Sequence, residues 1–304
     1  GLFDSGLGIE VRRLRIDLVY RVKMLAMIRR IGASTVLHPT YSRSKHFIDA
    51  ESIVRTAGVV ERIGSIGDHP HSWRSRLGAR SYSRLVPAVP DRMMELRRNA
   101  EFVRLLGISD FQARIPRWVD ADRLPNKFVG QKPYYVLFPG AGHYGRRWPV
   151  ERFAAVADQL YEKTGWVGLI CGSRAEQGLG DDIQHWTKAN VTNICGQTDL
   201  LGFLGVLRDA ELVITNETSA AHMAVAVATK TVCILGGGHY GKFAPYDVET
   251  GRPAEDILHV VCVQMACFNC DWECRFELSS GCPFPCIVRV DTDAVWREVE
   301  GWAH

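Results

Sequence analysis

ITNETSAAHMAVAVATKTVCILGGGHYGKFAPY, residues 214–246, is the stretch of sequence that decides the fold. It predicts the end of a strand, a small polar turn, a short helix, a second strand and a glycine-rich loop. The Glu217 carboxylate, the hydroxyls of Thr218 and Ser219, and backbone N–H groups are then expected at the carboxyl ends of adjacent parallel strands. The His222 imidazole follows in the first helical turn. Phosphorylated ligands bind at that edge of open α/β sheets, so the stretch indicates a nucleotide-linked substrate.

Around this stretch, apolar runs alternate with helical periods in a regular way. Strands are predicted at residues 134–138, 166–171, 191–194, 212–215 and 231–235, and helices at 151–163, 175–188, 200–208 and 219–228. Alternating strands and helices predict an α/β fold with a doubly wound parallel sheet and right-handed crossovers.

The first 120 residues are less regular. Helices are predicted at residues 11–31, 47–57 and 92–106, strands at 35–38 and 59–63, and a proline-containing linker at 116–133. Two strands with three helices make a thin sheet, so we expect an incomplete first domain. The predicted domains are residues 1–125, residues 126–290 with a cysteine-rich segment at 262–286, and a helix at 291–304 that returns toward the first domain.

The composition is ordinary for a globular protein, with 304 residues of which 46% are hydrophobic and 23% charged. The longest apolar run, residues 223–235, is interrupted by Lys230 and is shorter than the ~18 residues that span a bilayer. The first residues lack the apolar core of a signal peptide. We therefore expect a cytoplasmic protein.

The net charge of +3 hides an asymmetry. Residues 1–120 hold 21 Lys and Arg against 12 Asp and Glu, and the remainder holds 16 against 22. A basic first half indicates an acidic partner, either a phosphorylated acceptor or the inner face of a membrane in peripheral contact; the alternative is a solvated arginine-rich surface. Nucleic acid is not expected because no recognised binding motif accompanies the charge.

FPGAGHYGRRWP, residues 138–149, is a second chemistry-bearing motif. A strand ends, a glycine-rich loop follows, and Arg146 and Arg147 precede a helix. Glycines let a backbone approach a pyrophosphate, and guanidinium groups bind its oxygens in bidentate geometry. The alternative is an ordinary loop with surface arginines.

The remaining two loops also have structural alternatives. Glu217 and the hydroxyls that follow it could cap the helix after them, a role that is compatible with ligand binding. Residues 236–246 carry three successive glycines, which permit positive φ and close backbone contact. The aromatic residues and Lys242 in this loop favour a shaped sugar or base pocket over a merely flexible connection.

All nine cysteines follow residue 170, and five of them fall between Cys267 and Cys286. The spacing C-x2-C-x3-C, then C-x3-C, suits a metal held by four thiolates, zinc or iron, because a C-x2-C pair is a typical half-site. Free or buried thiols without metal are the alternative. The predicted ligands are Cys267, Cys270, Cys274 and Cys286, with Cys282 as a substitute.

Together these motifs resemble glycosyltransferase family 9, the heptosyltransferase family with a GT-B fold of two Rossmann-like domains. Residues 139–149 match its PGA…(K/R)-x-W-P loop, residues 196–200 its G-x-T-x-L turn, residues 216–222 its N-D-(S/T)-G-x-x-H motif, and residues 236–246 its loop ending in F-x-P-Y. The resemblance covers roughly residues 60–300. The cysteine cluster resembles that of the autotransporter heptosyltransferase branch, which holds iron with four cysteines.

The resemblance implies a donor site for a nucleoside diphosphate sugar. The expected donor-binding residues are Gly140, Ala141, Arg146, Arg147, Glu176, Thr198, Glu217, Thr218, Ser219, His222, Gly237, Gly238, His239 and Lys242. Two positions depart from the family pattern: Glu217 replaces an aspartate and Ser219 a glycine, which puts the sugar preference in doubt. The metal would be structural, since four thiolates leave no open position, and no catalytic metal is expected.

The family's catalytic base is an aspartate in a Gly-Asp loop after the first strand, a unit that this chain is expected to lack. Asp68, in the sequence SIGD at residues 65–68, is the candidate for that role. We predict transfer of a heptose-like sugar from an ADP-linked donor to a hydroxyl of an acidic or phosphorylated saccharide, or of a protein. The alternatives are a binding or assembly subunit that lacks the base, and a sugar-nucleotide epimerase. Homo-oligomer formation is left open.

Overall fold

The computed structural model describes residues 8–41, 47–67, 73–131, 133–248, 257–277 and 281–303. By its internal contacts the chain divides into two units, Gly1–Ala113 and Arg114–His304. Within the described ranges, no helix is both long and apolar enough to cross a membrane.

The first unit contains a three-stranded parallel sheet in the order β1-β2-β3. Among its described residues, one cluster of buried apolar side chains contains Ile63, Val86 and Phe102. The described elements, in chain order, are α1 (Val11–Ile16), α2 (Leu18–Arg30), β1 (Thr35–His38), α3 (Phe47–Thr56), β2 (Glu61–Ser65), α4 (Trp73–Ala79), β3 (Arg84–Val86) and α5 (Glu95–Leu105).

The sequence prediction for this unit was wrong in two places. The single helix expected at residues 11–31 is broken at Asp17, whose extended backbone (φ −108°, ψ 99°) ends α1 and begins α2. The Asp17 carboxylate accepts the backbone N–H of Tyr20 at 2.9 Å, because a short acidic side chain can cap a helix instead of continuing it. The prediction also missed α4 and β3, so the sheet has three strands where two were expected.

The second unit contains a six-stranded, all-parallel sheet in the order β6-β5-β4-β7-β8-β9. This is the strand order of a doubly wound Rossmann sheet, so the predicted α/β architecture is confirmed. The elements are β4 (Tyr134–Phe138), α6 (Val150–Thr164), β5 (Val167–Ile170), α7 (Gln177–Trp186), β6 (Val191–Asn193), α8 (Leu200–Asp209), β7 (Leu212–Asn216), α9 (Ser219–Ala226), β8 (Thr231–Ile234), β9 (Leu258–Val261), α10 (Pro285–Val288) and α11 (Thr292–Glu300).

Helices cover both faces of this sheet. Along β4, Tyr135 and Leu137 pack into one buried cluster while Tyr134 and Val136 pack into another, as alternating side chains of a strand require. All four side chains are 0% exposed. Burial on both faces explains why the strands of this unit are near-continuous apolar runs.

α6 illustrates how the local sequence sets a helix. Phe153, Val156, Ala157 and Leu160 recur at helical spacing and are fully buried against the sheet. The helix ends at Gly165, which adopts the left-handed conformation (φ 69°) that favours glycine.

Two features of this unit differ from the sequence prediction, and a third is not tested. Edge strand β9 was missed. The division falls after Ala113 instead of residue 125, because Trp118 and Leu124 belong to the packing of the second unit, where the Trp118 N–H donates to the Ala226 carbonyl at 2.8 Å. α11 packs against α6 within the second unit, and the expected return of this segment toward the first unit stays a prediction.

Candidate donor site

The candidate site lies at the switch point of the six-stranded sheet, between β4 and β7. From β4 the sheet continues through β5 and β6 on one side, and through β7, β8 and β9 on the other. At such a point the loops after the two central strands leave toward opposite faces and form a crevice. The loop after β4 and the turn after β7 carry two of the predicted motifs, so the fold places them side by side.

Asn216, the last residue of β7, joins these two loops. Its buried side-chain amide donates to the carbonyl oxygens of Pro139 (2.7 Å) and Gly140 (3.3 Å). Its Oδ1 accepts the backbone N–H of Trp148 at 3.0 Å. Because a buried amide is costly unless its hydrogen bonds are made, these three bonds fix the course of the loop over the strand ends.

Arg146 is held on two sides. Its Nη2 donates to the backbone carbonyl of Glu217 (2.9 Å) and to the Glu217 carboxylate (3.2 Å). The guanidinium carbon lies 4.6 Å from the centre of the Trp272 ring. The Nε atom is buried and has no hydrogen-bond partner among the described residues. A fixed guanidinium with an unpaired buried donor is suited to bind an anion.

The Glu217 carboxyl beside Arg146 is a buried titratable group, so the charge of the candidate site depends on pH. Its side chain is only 5% exposed, and burial raises its pKa to about 7, against the opposing effect of the Arg146 charge. Its backbone N–H donates to the Ile234 carbonyl at 3.0 Å, which connects the turn to β8. The carboxylate contacts Arg146, so it does not cap α9 as one interpretation of the sequence suggested.

Helix α9 begins directly beside Glu217. Thr218 is its N-cap, and the Thr218 hydroxyl accepts the Ala220 N–H at 3.2 Å, which confirms a capping role for this residue. Ser219 is exposed. His222 lies 2.6 Å through Nδ1 from the Tyr246 hydroxyl, and burial lowers the pKa of its imidazole, so the neutral form is favoured. The structure thus brings the motif of β7 and the end of the 236–246 loop together.

In the glycine-rich loop after β8, protein side chains pack against the glycines that were expected to approach a ligand. Of its glycines only Gly241 has a positive φ (75°). A Cβ placed on Gly237 or Gly238 would fall 2.1 Å from the Phe268 ring and 2.3 Å from the Trp272 ring, so protein side chains fill the space that the missing Cβ atoms leave. Donor contact by these two glycines and by His239 and Lys242 stays a prediction.

Glu176 follows β5 and lies against the loop after β4. Its Oε2 accepts the backbone N–H (2.7 Å) and the hydroxyl (2.8 Å) of Ser173, forming a capping box. Its Oε1 lies 1.9 Å from the position of a Cβ on Gly140, so a larger residue would not fit there. Its role toward a nucleoside stays a prediction.

The structure also shows where two other predicted donor residues, Arg147 and Thr198, lie. Arg147 donates from Nε (3.4 Å) and Nη2 (3.2 Å) to the Ala141 carbonyl, so it bonds the backbone of its own loop. Thr198 lies in the turn after β6, the edge strand on the far side of β5. Neither arrangement tests their predicted donor contacts.

The four predicted metal ligands line one pocket. Cys267, Cys270, Cys274 and Cys286 surround it together with apolar side chains, whereas Cys282 is exposed. Burial raises the pKa of the Cys286 thiol; the Gly237 backbone N–H opposes this, and Cys270 and Cys267 raise the pKa further. Thiolates are suitable ligands for zinc or iron by their chemistry. However, within the described part of the chain no three His, Cys, Asp or Glu side chains are drawn together as a ligand group.

The predicted base, Asp68, lies outside the described residues. On its N-terminal side β2 ends at Ser65, whose hydroxyl accepts the Gly67 N–H at 3.2 Å, and the description resumes at Trp73, the first residue of α4. Its catalytic role therefore stays a prediction.

Sequence reasoning missed three residues that organise the site: Asn216, Tyr246 and Trp272. The first two were part of recognised motifs, but a motif does not show which side chain bonds which loop. Trp272 carries no motif signal, since it lies between two cysteines and reaches Arg146 only through the tertiary fold.

Known proteins with similar sequences are heptosyltransferases. Lipopolysaccharide heptosyltransferase 1 of Pseudomonas aeruginosa is 24% identical over 262 residues, which are 83% of this chain and 72% of that protein. Lipooligosaccharide heptosyltransferase 2 of Haemophilus influenzae is 25% identical over 114 residues, which are 36% of this chain and 32% of that protein. The chain therefore matches about a third of the length of the Haemophilus relative.

Solved structures share the fold over most of the chain. Escherichia coli ADP-heptose LPS heptosyltransferase II has a TM-score of 0.63 at 17% identity and covers 93% of this chain and 80% of its own. A family 9 glycosyl transferase of Veillonella parvula has a TM-score of 0.66 at 13% identity, covering 94% and 79%. The E. coli heptosyltransferase WaaC with ADP has a TM-score of 0.61 at 16% identity, covering 97% and 79%. These similarities confirm the predicted GT-B fold.

A family model shows the family directly. The model for glycosyltransferase family 9 (heptosyltransferase) matches residues 44–272, which is most of the chain. The match includes both loops at the switch point and the loop after β8. The chain belongs to glycosyltransferase family 9, the heptosyltransferase family.

Proposed function

We propose that the chain transfers a heptose-like sugar from an ADP-linked donor to a hydroxyl group of a saccharide or protein acceptor. The observation that carries this proposal is Arg146 at the switch point: its Nη2 bonds Glu217 two residues before α9, and its buried Nε has no partner among the described residues. Membership of the family supports sugar transfer, and the names of the relatives support a heptose. The E. coli neighbour solved with ADP makes ADP the nucleotide to test first.

In this proposal the donor site stabilises the leaving group. Breaking the bond between the sugar and the diphosphate leaves negative charge on the phosphate oxygens. Arg146 and the positive end of the α9 helix dipole supply fixed positive charge to that position, so the charge develops against groups that are already oriented. If the Tyr246 hydroxyl donates to Nδ1 of His222, the Nε2 atom carries the proton and is a donor for a phosphate oxygen.

The acceptor hydroxyl must lose its proton as it attacks the sugar. A carboxylate is the expected base, and Asp68 is the residue that we propose for it. A basic first half, with Arg and Lys in excess over residues 1–120, is consistent with an acidic or phosphorylated acceptor.

The test combines binding with turnover. We expect Arg146→Ala to weaken ADP binding by about 50-fold, because a charge-assisted contact is lost and Glu217 is left buried without its partner. We expect His222→Ala to lower turnover of ADP-heptose by about 10-fold or more. Calorimetry gives the affinity, and release of ADP gives the rate. Arg297→Ala, which removes one exposed arginine from α11 of the second unit, is the control and should change neither.

The outcomes separate the proposal from its rivals. Unchanged affinity and rate in both variants would contradict the donor site. Binding of ADP and ADP-heptose without release of ADP in the presence of any acceptor would identify a binding or assembly subunit. Conversion of the donor sugar without an acceptor would identify an epimerase.

We further propose that Cys267, Cys270, Cys274 and Cys286 hold one structural iron or zinc ion. Their convergence on one pocket supports this, and it requires the sulfur atoms to draw closer than they stand in the described structure. When bound, the metal would cross-link residues 267–274 to the start of α10 and take no part in sugar transfer, since four thiolates complete its coordination.

Elemental analysis of protein purified without added metal tests this. We expect about one ion per chain, lost in Cys274→Ser, which removes one of four ligands. Cys282→Ser is the matched control because Cys282 is exposed and does not line the pocket; its metal content should be unchanged. Wild-type protein free of iron and zinc would contradict the proposal.

A further inference from the structure

The segment of residues 267–274, here called the cysteine turn, is bonded to the glycine-rich loop after β8. The backbone N–H of Asn269 donates to the Gly237 carbonyl (2.6 Å), and that of Asp271 donates to the Gly238 carbonyl (3.0 Å). The Trp272 ring lies against the backbone of the same loop, 2.3 Å from where a Cβ on Gly238 would stand. The glycines are therefore needed for the approach of this turn.

The cysteine turn holds an unusual backbone. Asn269, Asp271 and Trp272 all have left-handed φ values, of 69°, 50° and 66°. Asparagine and aspartate tolerate this region, but a bulky tryptophan rarely adopts it. Such a conformation persists only where surrounding contacts over-determine it, and it is often associated with a functional role. Here the Trp272 ring lines the cysteine pocket and also contacts Arg146 of the candidate donor site.

Trp272 makes two specific contacts there. Its ring lies under the Arg146 guanidinium, with 4.6 Å between the guanidinium carbon and the ring centre. Its indole N–H donates to Nδ1 of His239 at 3.1 Å. The first contact orients the plane of the guanidinium, and the second makes Nδ1 of His239 an acceptor, so that Nε2 carries the proton in the neutral imidazole.

The Glu217 contacts alone do not fix Arg146. Both of them involve Nη2, so the guanidinium could still swing about that atom. The ring of Trp272 restricts this motion because a planar cation packs flat against an aromatic face. With these two neighbours in place, Nε is a buried donor without a partner among the described residues.

We propose that Trp272 is a positioning residue of the donor site, which orients Arg146 for the diphosphate and transmits the geometry of the cysteine turn to it. The proposal rests on the proposed function, because the anion is the diphosphate of the donor. It assigns to the cysteine turn a role in donor affinity in addition to structure.

The test is a double-mutant cycle on ADP affinity, measured by calorimetry on the full chain. Trp272→Leu should weaken ADP binding by about 10-fold, and Trp272→Phe, which keeps a ring but loses the N–H donor, by about 3-fold. In the Arg146→Ala background, Trp272→Leu should cause no further loss, because the residue acts through Arg146. Trp302→Leu is the matched control: Trp302 packs against the same buried cluster but near Lys230, and its loss should leave ADP affinity unchanged.

Each outcome decides the proposal. Wild-type affinity in Trp272→Leu overturns it while leaving the proposed donor site standing. An equal loss in the presence and absence of Arg146 also overturns it, since Trp272 would then contact the nucleotide on its own. Failure of the wild-type protein to bind ADP overturns the proposed function together with this role. If circular dichroism shows that Trp272→Leu does not fold, Trp272→Phe in the same cycle carries the test.

Discussion

The two sheets of this protein are both parallel, yet they are buried to very different extents. In the second unit, β7 and β8 are buried along their whole length. In the first unit, β1 has no fully buried residue and β3 has one. The contrast is clear for two leucines at similar places in a strand: Leu137 of β4 is 0% exposed and Leu37 of β1 is 51% exposed.

The helices show the same difference. On α2 of the first unit, Leu18, Val19 and Val22 are each at least 60% exposed, whereas the apolar side of α6 is fully buried. A parallel sheet covered on both faces builds its own core, and the second unit therefore holds its switch-point loops on a rigid base. The candidate donor site belongs to the unit that holds most of the buried apolar side chains.

The largest expected effect tests this contrast directly. Leu137→Ala should lower the free energy of unfolding by about 3 kcal/mol, because it leaves a cavity in the main core. Leu37→Ala should change it by about 0.5 kcal/mol or less. Urea unfolding followed by far-ultraviolet circular dichroism reports on both units, since each contains several helices. Equal losses of unfolding free energy in the two variants would contradict the conclusion that the second sheet is more deeply buried than the first.

A smaller effect concerns Glu217, the buried carboxylate of the candidate donor site. The pKa of Glu217 is raised from 4.5 to about 7, so the folded protein binds this proton more tightly than the unfolded chain. Its contribution to stability is complete below about pH 4.5 and is lost as the pH rises through about 7. Between about pH 5 and pH 8, wild type should therefore lose on the order of 2 kcal/mol relative to Glu217→Gln.

The measurement is the urea midpoint of both proteins at the two pH values. Glu61→Gln, which changes an exposed glutamate of β2 in the first unit, is the control and should keep the pH dependence of the wild type. A Glu217→Gln variant with the same pH dependence as wild type would show that the carboxyl is not protonated in the folded protein.

The smallest effect compares two helix starts. Asp199 caps α8 by accepting the Gly202 N–H at 2.7 Å, whereas Glu10, at the start of α1, makes no side-chain capping bond. Asp199→Ala should cost about 1 kcal/mol of unfolding free energy, and Glu10→Ala about 0.5 kcal/mol or less. Thermal unfolding of the two variants gives the difference. A larger loss of unfolding free energy in Glu10→Ala than in Asp199→Ala would contradict the prediction that the capping bond of Asp199 stabilises α8.

The success of the sequence prediction follows the same contrast. The five strands predicted for the second unit are present in the structure. They could be predicted because a strand that is buried on both faces consists of consecutive apolar residues. In the first unit β3 was missed, since three residues with one buried side chain give no pattern. Asp17 interrupted a predicted helix because its side chain offered a local cap that apolar periodicity does not register.

For the donor site, the sequence indicated the loops and the residue types but not the partners. Arg146, Glu217 and His222 were predicted on the strength of motifs, and the structure places Arg146 and Glu217 in contact. That Glu217 pairs with Arg146 instead of capping α9 could not be predicted, because both arrangements satisfy a carboxylate. The packing of Phe268 and Trp272 against the glycine-rich loop could not be predicted either, because these residues lie about thirty positions away in the chain.

The sequence alone therefore determined the alternation of strands and helices, the switch-point motifs and the clustering of cysteines, because each is written in the spacing of neighbouring residues. Only the tertiary structure decided that Asn216 joins two loops, that Tyr246 contacts His222 and that Trp272 lies under Arg146. Those contacts join residues distant in the chain, and they depend on strand order and on the backbone path of the cysteine turn. The spacing of neighbouring residues in the sequence predicts neither the strand order nor this backbone path.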